Sequence, residues 1–597
     1  MLDIRPSRLS QMRQPRKTIQ PLRKIRVADK NNPSPIIRQE TKNSLRIIPL
    51  GGQEEVGRNM TLFEYGQDII ILDMGLQFPE EDMPGIDYII PNISYLKGKE
   101  KRIRGVILSH GHLDHIGAAP ILLRNLGYPT IIGRDMTLAM VKKKLEDFEK
   151  GSAQNLKTIR VKAITDKIRL GSFEIEFFDV EHSIMDAVGV IIKTPDGTVI
   201  HPGDWTMEKS VNGKSLVTYQ HLSRLPSPRI LMLESLGAIV KNPNRTTEEE
   251  MYFNLEKLIS ETTGKIIIGT FSSQIKRIGH ILEYAEKIGK KVALDGYSMK
   301  MNVEIAKELG YIKMHKDTLV PIANIHNYPE NKIIVICTGA QGEGNAVLSR
   351  IITDNHRFIK IKKNDTVIFS SSVIPGNERT VQRLKDNLYR KCDNVIHDDI
   401  MDVHISGHCS AVDIQEMLRQ VRPDFFLPVY ANHYMLKEAE KLATRIGFRK
   451  ENIFVLDNGH VLEVRAGKAN VLPKKVDTSY VMVDGLGVGD VGQVVLRDRQ
   501  VLSEDGMFVI TVILDSKTKN VVGNIQITSR GFIYVKDNFD LVNETKLQVK
   551  KAIKDTTSKK TSPEKKFIEN AIREVVGLFL FQKTERRPMV LPVIIEV

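Results

Sequence analysis

Short apolar runs alternate with longer amphipathic stretches from about residue 45 to the last residue. Apolar runs of about four to eight residues between polar turns favour strands, and stretches with a period near 3.6 favour helices. This alternation predicts an α/β protein built from packed layers. The strands predicted in the first part of the chain are Leu45–Leu50, Asp68–Asp73, Ile103–Ser109, Phe173–Val180, Val188–Thr194 and Arg229–Glu234.

The pattern changes near residue 246, where Thr246 and Thr247 precede three glutamates. A hydroxyl cap followed by an acidic first turn is typical of a helix N-terminus. Strand–helix units then repeat, which favours a doubly wound sheet. The strands predicted in this block are Lys265–Thr270, Lys291–Asp295, Lys332–Cys337 and Asp365–Phe369.

The segment Asp402–Tyr430 returns to a different style, with a histidine-rich loop, a helix and a predicted strand Asp424–Tyr430. A last domain begins near Tyr480, and no repeat of about 20–50 residues occurs anywhere. The elements predicted in the last domain are the strands Met507–Ile513 and Phe532–Val535, then two helices separated by Thr556–Pro563.

These changes of pattern predict six segments along the 597 residues. The predicted boundaries are a basic arm at 1–44, the first part of the core at 45–236, an inserted α/β domain at 237–398, the second part of the core at 399–470, a linker at 471–484 and the C-terminal domain at 485–597.

Charge is concentrated at the N-terminus, although the composition is that of a globular protein, with 41% hydrophobic and 27% charged residues. The net charge is +14, and residues 1–46 hold twelve Lys or Arg against three acids. This proline-containing segment has too little apolar periodicity to order itself. Three interpretations stay open: a solvated tail, a start codon placed too far upstream, or a flexible arm that binds polyanions in a salt-dependent way.

Cysteine is rare, with Cys337, Cys392 and Cys409 and no CxxC spacing. This usage favours a reducing compartment over a disulfide framework or a zinc–thiolate site. The sequence contains no run of about 18 apolar residues and no secretory signal pattern. We therefore expect a cytoplasmic protein without membrane association.

The strongest chemical signal is the loop that follows the predicted strand Ile103–Ser109. Three imidazoles and one carboxylate occur within six residues there, namely His110, His112, Asp114 and His115. A tight loop after a strand can direct several side chains to one point, and this mixture of ligands suits Zn²⁺ or Mn²⁺. We therefore predict a metal site at this loop.

Further ligands are expected at the ends of other strands, because this loop alone cannot complete two sites. Asp73 ends one predicted strand, His182 follows another, and Asp204 follows the apolar pair at 199–200. Each residue taken singly is more often a cap or a turn residue. Their joint occurrence at strand ends favours a common metal-binding rim.

The pattern His-x-His-x-Asp-His, with Asp73 before it and His182 and Asp204 after it, resembles the metallo-β-lactamase fold, an αββα sandwich. The resemblance implies that His110, His112 and His182 hold one ion, and that Asp114 and His115 hold another. Asp204 would bridge the two ions and Asp73 would orient the ligands. Two divalent ions, with Zn²⁺ first and Mn²⁺ or Mg²⁺ as alternatives, suit hydrolysis of a phosphodiester bond.

The block after Asp204 narrows the resemblance to the β-CASP nucleases. Glu234, His408 and Tyr430 fall where those proteins carry their motifs A, B and C. By this resemblance His408 would protonate or steady the leaving oxygen, and Glu234 would hold its imidazole. The inserted domain would close over the ions and leave a cleft for a nucleic-acid strand.

Several loops resemble ribonuclease J from about residue 45 to the end of the chain. They include 337–343, 370–378, 495–499 and 584–592. For the six segments, this family resemblance implies a core that is split by an insertion and followed by a small α+β domain. The resemblance implies 5′→3′ exonuclease activity on single-stranded RNA with a 5′-monophosphate, together with endonuclease activity, in mRNA decay and rRNA maturation. It also implies a homodimer or tetramer, or assembly with a paralogue, and contacts with RNA-decay or ribosome components. The RNA-contact candidates are Arg277, Ser370, Ser371, Ser372, Ser406, Gly407 and His408.

The chain departs from this family at motif C, where a histidine ligand of the second ion is expected. Position 430 is tyrosine, which is a poor ligand unless its phenol is ionised, and His433 lies three residues later. We therefore expect the second ion to bind more weakly than the first.

This departure leaves an alternative function open beside the active ribonuclease. The chain would then be a catalytically weakened, RNA-binding scaffold subunit that pairs with a competent paralogue. A small-molecule metallo-hydrolase is a third hypothesis, which the inserted domain and the C-terminal domain argue against.

Overall fold

The structure, a computed structural model, describes residues 43–80, 82–207, 215–241, 246–315, 317–342, 346–374, 377–559 and 564–597. The predicted basic arm lies outside these residues, except for its last two positions. The described chain divides into two compact units, 43–488 and 489–597. No helix in the described ranges is both long enough and apolar enough to cross a bilayer.

The first part of the core contains thirteen strands and three helices within its described residues. Its elements are β1 Leu45–Gly51, β2 Gln53–Glu54, β3 Met60–Tyr65, β4 Asp68–Leu72, β5 Tyr88–Ile90, β6 Ile103–Ile107, α1 Leu113–Ile116, α2 Ala119–Asn125, β7 Ile131–Gly133, α3 Asp135–Phe148, β8 Thr158–Arg160, β9 Ile168–Leu170, β10 Phe173–Asp179, β11 Val188–Thr194, β12 Gly197–His201 and β13 Arg229–Glu234.

The inserted domain and the second part of the core follow. The inserted elements are α4 Glu248–Glu261, β14 Ile266–Thr270, α5 Ile275–Lys287, β15 Lys291–Asp295, α6 Tyr297–Glu308, β16 Ile333–Cys337, α7 Val347–Ile352, β17 Thr366–Ser370, α8 Glu378–Tyr389 and β18 Asn394–Ile396. The returning elements are α9 Ala411–Val421, β19 Phe425–Val429, β20 Ala431–Asn432, α10 His433–Arg445, β21 Val461–Arg465, β22 Lys468–Leu472, β23 Val481–Asp484 and β24 Gly487–Val488.

Two large sheets form the centre of the core. Their strand orders are β22-β21-β1-β3-β4-β6-β7-β8 and β19-β13-β12-β11-β10-β9. Because side chains alternate along a strand, β1 sends Leu45 and Ile47 into the layer between the sheets and Ile48 and Leu50 to the other face. Helices cover the outer faces, so the predicted αββα sandwich is confirmed.

The insertion is evident from the pairing of β13 with β19. These strands run parallel and adjacent, with Glu234 opposite Val429, although the whole inserted domain separates them in sequence. The chain therefore leaves the core at Glu234 and returns to the neighbouring position of the same sheet. The inserted sheet is parallel, with order β15-β16-β14-β17-β18, as the strand–helix repeats predicted.

The unit at 489–597, where the structure describes it, consists of a three-stranded sheet and three helices. Its elements are α11 Gln493–Glu504, β25 Met507–Leu514, β26 Val521–Arg530, α12 Phe539–Lys559, α13 Lys565–Thr584 and β27 Met589–Glu596. The sheet order is β26-β25-β27, and α12 and α13 contribute to the apolar core on one face. The α+β class of this unit is as predicted.

Two predictions for this unit are wrong in detail. Phe532–Val535 is not a strand, because Gly531 adopts a left-handed φ of 72° that turns the chain after β26. The break predicted to begin at Thr556 is also misplaced. Thr556 is buried and donates its hydroxyl to the carbonyl of Ala552 one turn earlier, so α12 continues through it.

The segment predicted as a linker, 471–484, carries regular structure at both ends. It contains the last residues of β22 and the whole of β23, which pairs with β5 from the first part of the core. The domain boundaries themselves stay a prediction.

Candidate metal centre and active site

Three imidazoles converge at the ends of the core strands. His110 and His112 lie in the loop after β6, and His182 lies in the loop after β10. Nδ1 of His112 is 3.1 Å from Nε2 of His110 and 3.0 Å from Nε2 of His182. We call these three residues, together with Asp204, the first set.

In each ring, the outer nitrogen is the one that points away from the other imidazoles. The hydrogen-bond partner of this nitrogen fixes the orientation of the ring and, for His182, the position of its proton. Nδ1 of His182 is 2.7 Å from the carbonyl oxygen of Gly407, which can only accept, so the proton is on Nδ1 and Nε2 presents a lone pair. Nδ1 of His110 is 3.0 Å from the hydroxyl of Ser109. Such outer partners orient the ligands of metal sites.

The electrostatics favour neutral rings in the first set. Burial and the neighbouring histidines hold the pKa of His110 well below its usual range. Burial lowers the pKa of His112 to about 4 and that of His182 to about 3, against the attraction of Asp204. Neutral imidazole is the form that binds a metal ion. In a tetrahedral site with Zn–N bonds of about 2.0–2.1 Å, two ligand nitrogens lie about 3.3 Å apart. The separations of 3.1 and 3.0 Å between the inward nitrogens are close to this distance. The first set therefore fits a divalent ion.

Asp204 follows β12 and faces both parts of the centre. Its Oδ2 is 3.8 Å from Nε2 of His110 and 3.9 Å from Nε2 of His182. Its Oδ1 is 3.3 Å from Nε2 of His115. One carboxylate oxygen thus faces two histidines and the other faces His115, as expected for a ligand that two ions could share.

Asp114, His115 and Asp204 form a second group whose ligand atoms lie within 4.8 Å of one another, which we call the second set. Oδ2 of Asp114 is 3.4 Å from Nε2 of His115. The amide Nδ2 of Asn59 also contacts this group, 3.2 Å from Oδ2 of Asp114 and 3.0 Å from Nε2 of His115. An amide nitrogen donates hydrogen bonds and is not a metal ligand, so Asn59 occupies space beside the second set without completing it.

Asp73 forms hydrogen bonds with residues next to the first set and within the second set. It follows β4 in a left-handed conformation, with φ 61°, and its side chain is fully buried. The carboxylate accepts hydrogen bonds from the Ser109 amide, the Ser109 hydroxyl and Nδ1 of His115, each at 2.8 Å. Backbone strain at such a position is retained where the surroundings require one conformation. Asp73 is therefore placed to fix the loop that carries the ligands.

Close backbone approach explains two glycines at this site. A Cβ on Gly75 would lie 1.5 Å from the carbonyl oxygen of Asp114, and one on Gly407 would lie 2.6 Å from the hydroxyl of Ser183 and 3.0 Å from the ring of His182. Only glycine permits these approaches. Both positions seat the ligand loops against the rest of the core.

His408 and Glu234 form a pair beside Asp204. Nδ1 of His408 is 3.3 Å from Oε1 of Glu234, and about a third of the His408 side chain (35%) stays exposed while Glu234 is buried. Burial alone would lower the pKa of His408, but the charge and hydrogen bond of Glu234 raise it to about 9. His408 is thus a cation at neutral pH, and part of its side chain stays accessible to solvent.

Tyr430 is hydrogen-bonded within the core and is not ionised. Gly203 donates its amide to Nδ1 of His201 at 3.0 Å, so the imidazole proton is on Nε2 and points to the Tyr430 oxygen at 2.7 Å. Burial, Asp73, Asp204 and Asp114 together raise the pKa of Tyr430 well above its usual value. A neutral phenol whose oxygen accepts a hydrogen bond cannot replace a histidine ligand.

His433 does not enter the second set. It begins α10, its side chain is half exposed, and it forms a separate group with Glu54 and Asp457. Its Nδ1 is 3.7 Å from Oδ1 of Asp457. The loop therefore does not bend so as to let His433 replace the missing ligand.

Two of the predicted RNA contacts, Arg277 and Ser370, are buried. The guanidinium of Arg277 donates to the carbonyl and the hydroxyl of Ser370 at 2.9 and 3.0 Å, and lies 2.8 Å from Nδ1 of His404. Ser370 in turn donates to the carbonyl of Val403 at 2.7 Å. These contacts join the inserted domain to the loop that leads to His408. A direct phosphate contact stays a prediction for both residues.

The remaining RNA candidates lie in the two loops that follow β17 and β18. Ser371 and Gly407 are also buried, and the carbonyl of Ser372 accepts from the side-chain amide of Gln341 at 2.7 Å. The hydroxyl of Ser406 accepts from the amide of His408 at 3.2 Å. Their contact with RNA also stays a prediction.

Sequence reasoning assigned no role to four residues at the centre. Asn59, Ser109 and Ser273 contact candidate ligands directly, and His201 contacts Tyr430. Nothing in the local pattern distinguishes Asn59 or Ser273 from ordinary loop residues. His201 carried a weak signal, since it ends a strand three residues before Asp204. Ser273 contacts the ring of His112 from the inserted domain, at 3.0 Å.

Comparison with families and characterised proteins gives concordant results. Family models match at 54–209 (metallo-beta-lactamase superfamily), 263–388 (ribonuclease J, beta-CASP domain) and 494–597 (ribonuclease J C-terminal domain). The matched ranges include all six candidate metal ligands, four of the five strands of the inserted sheet and nearly all of the C-terminal unit.

Full-length relatives extend this similarity to nearly the whole chain. Ribonuclease J 1 of Streptococcus pyogenes serotype M3 is 35% identical over 554 residues, covering 93% of this chain and 98% of that protein. Ribonuclease J2 of Bacillus subtilis is 32% identical over 562 residues, covering 94% and 100%. Ribonuclease J 2 of Staphylococcus aureus MRSA252 is also 32% identical, over 566 residues, with the same coverage.

Proposed function

Because the chain belongs to the ribonuclease J family, we propose that it is a metal-dependent ribonuclease that degrades single-stranded RNA from a 5′-monophosphate end and also cleaves internally. The observation that carries the proposal is the position of Asp204, with one carboxylate oxygen towards His110 and His182 and the other towards His115. This geometry suits a bridge between two divalent ions.

When bound, two such ions would activate a water molecule and neutralise charge on the phosphate, with Zn²⁺ first and Mn²⁺ or Mg²⁺ as alternatives. His110, His112 and His182 would hold the first ion, and Asp114 and His115 the second, with Asp204 between them. The protein's part is to fix these ligands, and Asp73 does this through Ser109 and His115.

His408 acts on the leaving group in this proposal. Its raised pKa keeps the imidazole protonated at neutral pH, and its exposed third can reach a bound strand. It would donate a proton to the leaving 3′ oxygen or steady the negative charge there. Glu234 is a positioning residue that keeps the ring oriented and charged.

The second ion is proposed to bind more weakly than the first. Tyr430 accepts a hydrogen bond from His201, and Asn59 offers an amide nitrogen. Among the described residues, only Asp114, His115 and Asp204 would therefore supply ligands in the second set. This observation favours one further candidate function. With its second ion lost, the chain would be an RNA-binding subunit that assembles with a competent paralogue rather than as a homodimer or tetramer.

The decisive experiment uses the purified full-length protein with 5′-monophosphorylated RNA and Mn²⁺, Zn²⁺ or Mg²⁺. We expect release of mononucleotides that stops with EDTA and in the His112→Ala and Asp114→Ala variants. The same RNA with a 5′-hydroxyl or 5′-triphosphate should react more slowly. A circular RNA, which has no end, should yield products only through internal cleavage.

Each contrary outcome has a defined meaning. Tight RNA binding without cleavage under every metal would favour the scaffold function. Cleavage that persists in EDTA would contradict a metal mechanism altogether. Equal rates on all three 5′ ends would contradict the proposed end preference while leaving the nuclease intact.

A further inference from the structure

The first strand–helix turn of the inserted domain contacts the metal centre. This turn, residues 271–274, joins β14 to α5. β14 lies between β16 and β17. The connection that leaves β14 runs to β15 on one side of the sheet, and the connection that leaves β17 runs to β18 on the other side. In open parallel sheets the loops at the carboxyl end of such a position form the crevice in which ligands bind. The turn is therefore at the functional edge of its own sheet.

Ser273 in this turn contacts His112, which lies 161 residues earlier in the core. Its hydroxyl is 3.0 Å from Nε2 of His112. The other nitrogen of that ring, Nδ1, faces His110 and His182. A histidine that binds an ion through Nδ1 keeps its proton on Nε2, and that proton needs an acceptor. The Ser273 oxygen is in place to accept it.

The turn that presents this hydroxyl is itself fixed. The amide of Gln274 donates to the carbonyl of Phe271 at 3.1 Å. The side chain of Asn302, on α6, donates to the carbonyl of Ser272 at 2.8 Å. Ser273 is thus held by contacts within the inserted domain, so its distance from His112 depends on how that domain sits on the core.

The other histidines of the centre have outer partners from the core. His110 contacts Ser109, His115 contacts Asp73, and His182 contacts the carbonyl of Gly407. The outer partner of His112 comes from the inserted domain instead. Binding of the first ion is therefore linked to an interdomain hydrogen bond, and linkage of this kind is reciprocal.

We propose that Ser273 is a positioning residue for His112, which strengthens the first ion and makes its affinity depend on closure of the inserted domain over the core. By reciprocity, the bound ion stabilises that closure. The proposal rests on the proposed function only in requiring that the first set binds a divalent ion. It does not depend on the substrate or on the second ion.

The test measures Zn²⁺ affinity by chelator competition for the full-length wild type and for Ser273→Ala, Ser273→Thr and Ser272→Ala. Removal of an outer partner typically weakens metal affinity by about 10–100-fold, so we expect about a tenfold loss in Ser273→Ala. Threonine keeps the hydroxyl and should restore the affinity. Ser272→Ala removes the neighbouring hydroxyl and should match the wild type.

A second measurement separates positioning from general damage. Thermal melting of the metal-free proteins should show the same Tm for Ser273→Ala and Ser272→Ala. Hydrogen exchange of the amides at 271–276 should slow on Zn²⁺ addition in the wild type, and should slow much less in Ser273→Ala. Loss of exchange protection without any change in affinity would overturn the proposal.

Other outcomes are equally decisive. Equal Zn²⁺ affinities in Ser273→Ala and Ser272→Ala would overturn the proposal while leaving the metal site and the nuclease function intact. Failure of threonine to restore a lost affinity would also overturn it. If the wild type binds no divalent ion, the proposed function fails together with this inference, and the competition assay shows that directly.

Discussion

The first and second sets differ in how completely their ligands are held. In the first set, each inward nitrogen belongs to a ring whose outer nitrogen has a defined partner: Ser109, Ser273 or Gly407. In the second set, Asp114 remains partly exposed, with 36% of its side chain accessible. The motif position at which a further ligand is expected is occupied by Tyr430, whose ring centroid lies 5.3 Å from that of His115. The same carboxylate, Asp204, serves both.

From this difference we infer that the two sets, although they share Asp204, differ in their affinity for a divalent ion. A complete shell of oriented, neutral imidazoles needs little rearrangement to bind an ion. Three ligands with a nearby amide and a neutral phenol leave positions that water must fill. We therefore expect the two sets to load in order, the first before the second.

The largest effect should come from Asp204→Ala, which removes the residue common to both sets. We expect both ions to bind more weakly and activity to fall on the order of 10³-fold, since each ion contributes several kcal/mol of charge stabilisation. Metal content by mass spectrometry and mononucleotide release check this. Asp179→Ala, an exposed carboxylate at the end of β10 in the same sheet, is the matched control. Loss of only one ion would show that Asp204 does not bridge.

His408 lies beside the first set, because its Nδ1 is 3.9 Å from the Asp204 oxygen that faces His110 and His182. We expect His408→Ala to lower kcat by about 10²-fold, as for loss of a general acid. The pKa of His408 is raised to about 9, so its proton is present below that pH and is lost as the pH rises through it. Wild-type activity should therefore fall above about pH 9.

Glu234→Gln tests the cause of that alkaline limit. Glu234 raises the pKa of His408, so its neutral replacement should move the decline in activity to lower pH. The pH profile of kcat, measured from pH 6 to 10 with the Zn²⁺ content held constant, checks this. An identical alkaline limit in wild type and Glu234→Gln would mean that another group titrates.

The sequence predicted the layers from local patterns of apolar residues, and it predicted that imidazoles and carboxylates at strand ends would lie together at one rim. Buried strands such as β14 are runs of apolar residues, and imidazoles at strand ends have few packing explanations. Contacts between distant segments were not predictable in this way. Ser273 and Asn59 are ordinary polar residues until folding brings them to His112 and His115.

Partly exposed elements were also predicted poorly. β26 contains Gly523 and Asn524 and is mostly exposed, so it lacks the apolar run that marks a buried strand. The sequence therefore predicted the strand at the apolar residues that begin at Phe532. The ring of Phe532 is buried in the core of the unit, but the chain has already turned at Gly531. The sequence identified Tyr430 as a departure from the family pattern. Its contact with His201, 229 residues away in the chain, became evident only in the folded structure.

Tyr430→His should sharpen the comparison by giving the second set a fourth ligand. We expect the second ion to bind about tenfold more tightly, with the first ion unchanged, since one added imidazole makes an inner contact that a neutral phenol does not. Titration with Zn²⁺ and metal counting after gel filtration check this. Unchanged stoichiometry and affinity would mean that the second set is already complete without position 430.

Tyr430→His removes the phenol and adds an imidazole, whereas Tyr430→Phe removes only the phenol hydroxyl. Of the variants considered, Tyr430→Phe should change ion binding least. Phenylalanine keeps the ring but leaves the buried Nε2–H of His201 without its acceptor, which costs about 1–3 kcal/mol of folding free energy. Urea unfolding of the metal-free protein measures this cost. Ion stoichiometry should match the wild type, because the phenol oxygen is engaged by His201 rather than available to an ion. A lost ion in Tyr430→Phe would show that the tyrosine is itself a ligand, and would contradict the difference between the two sets.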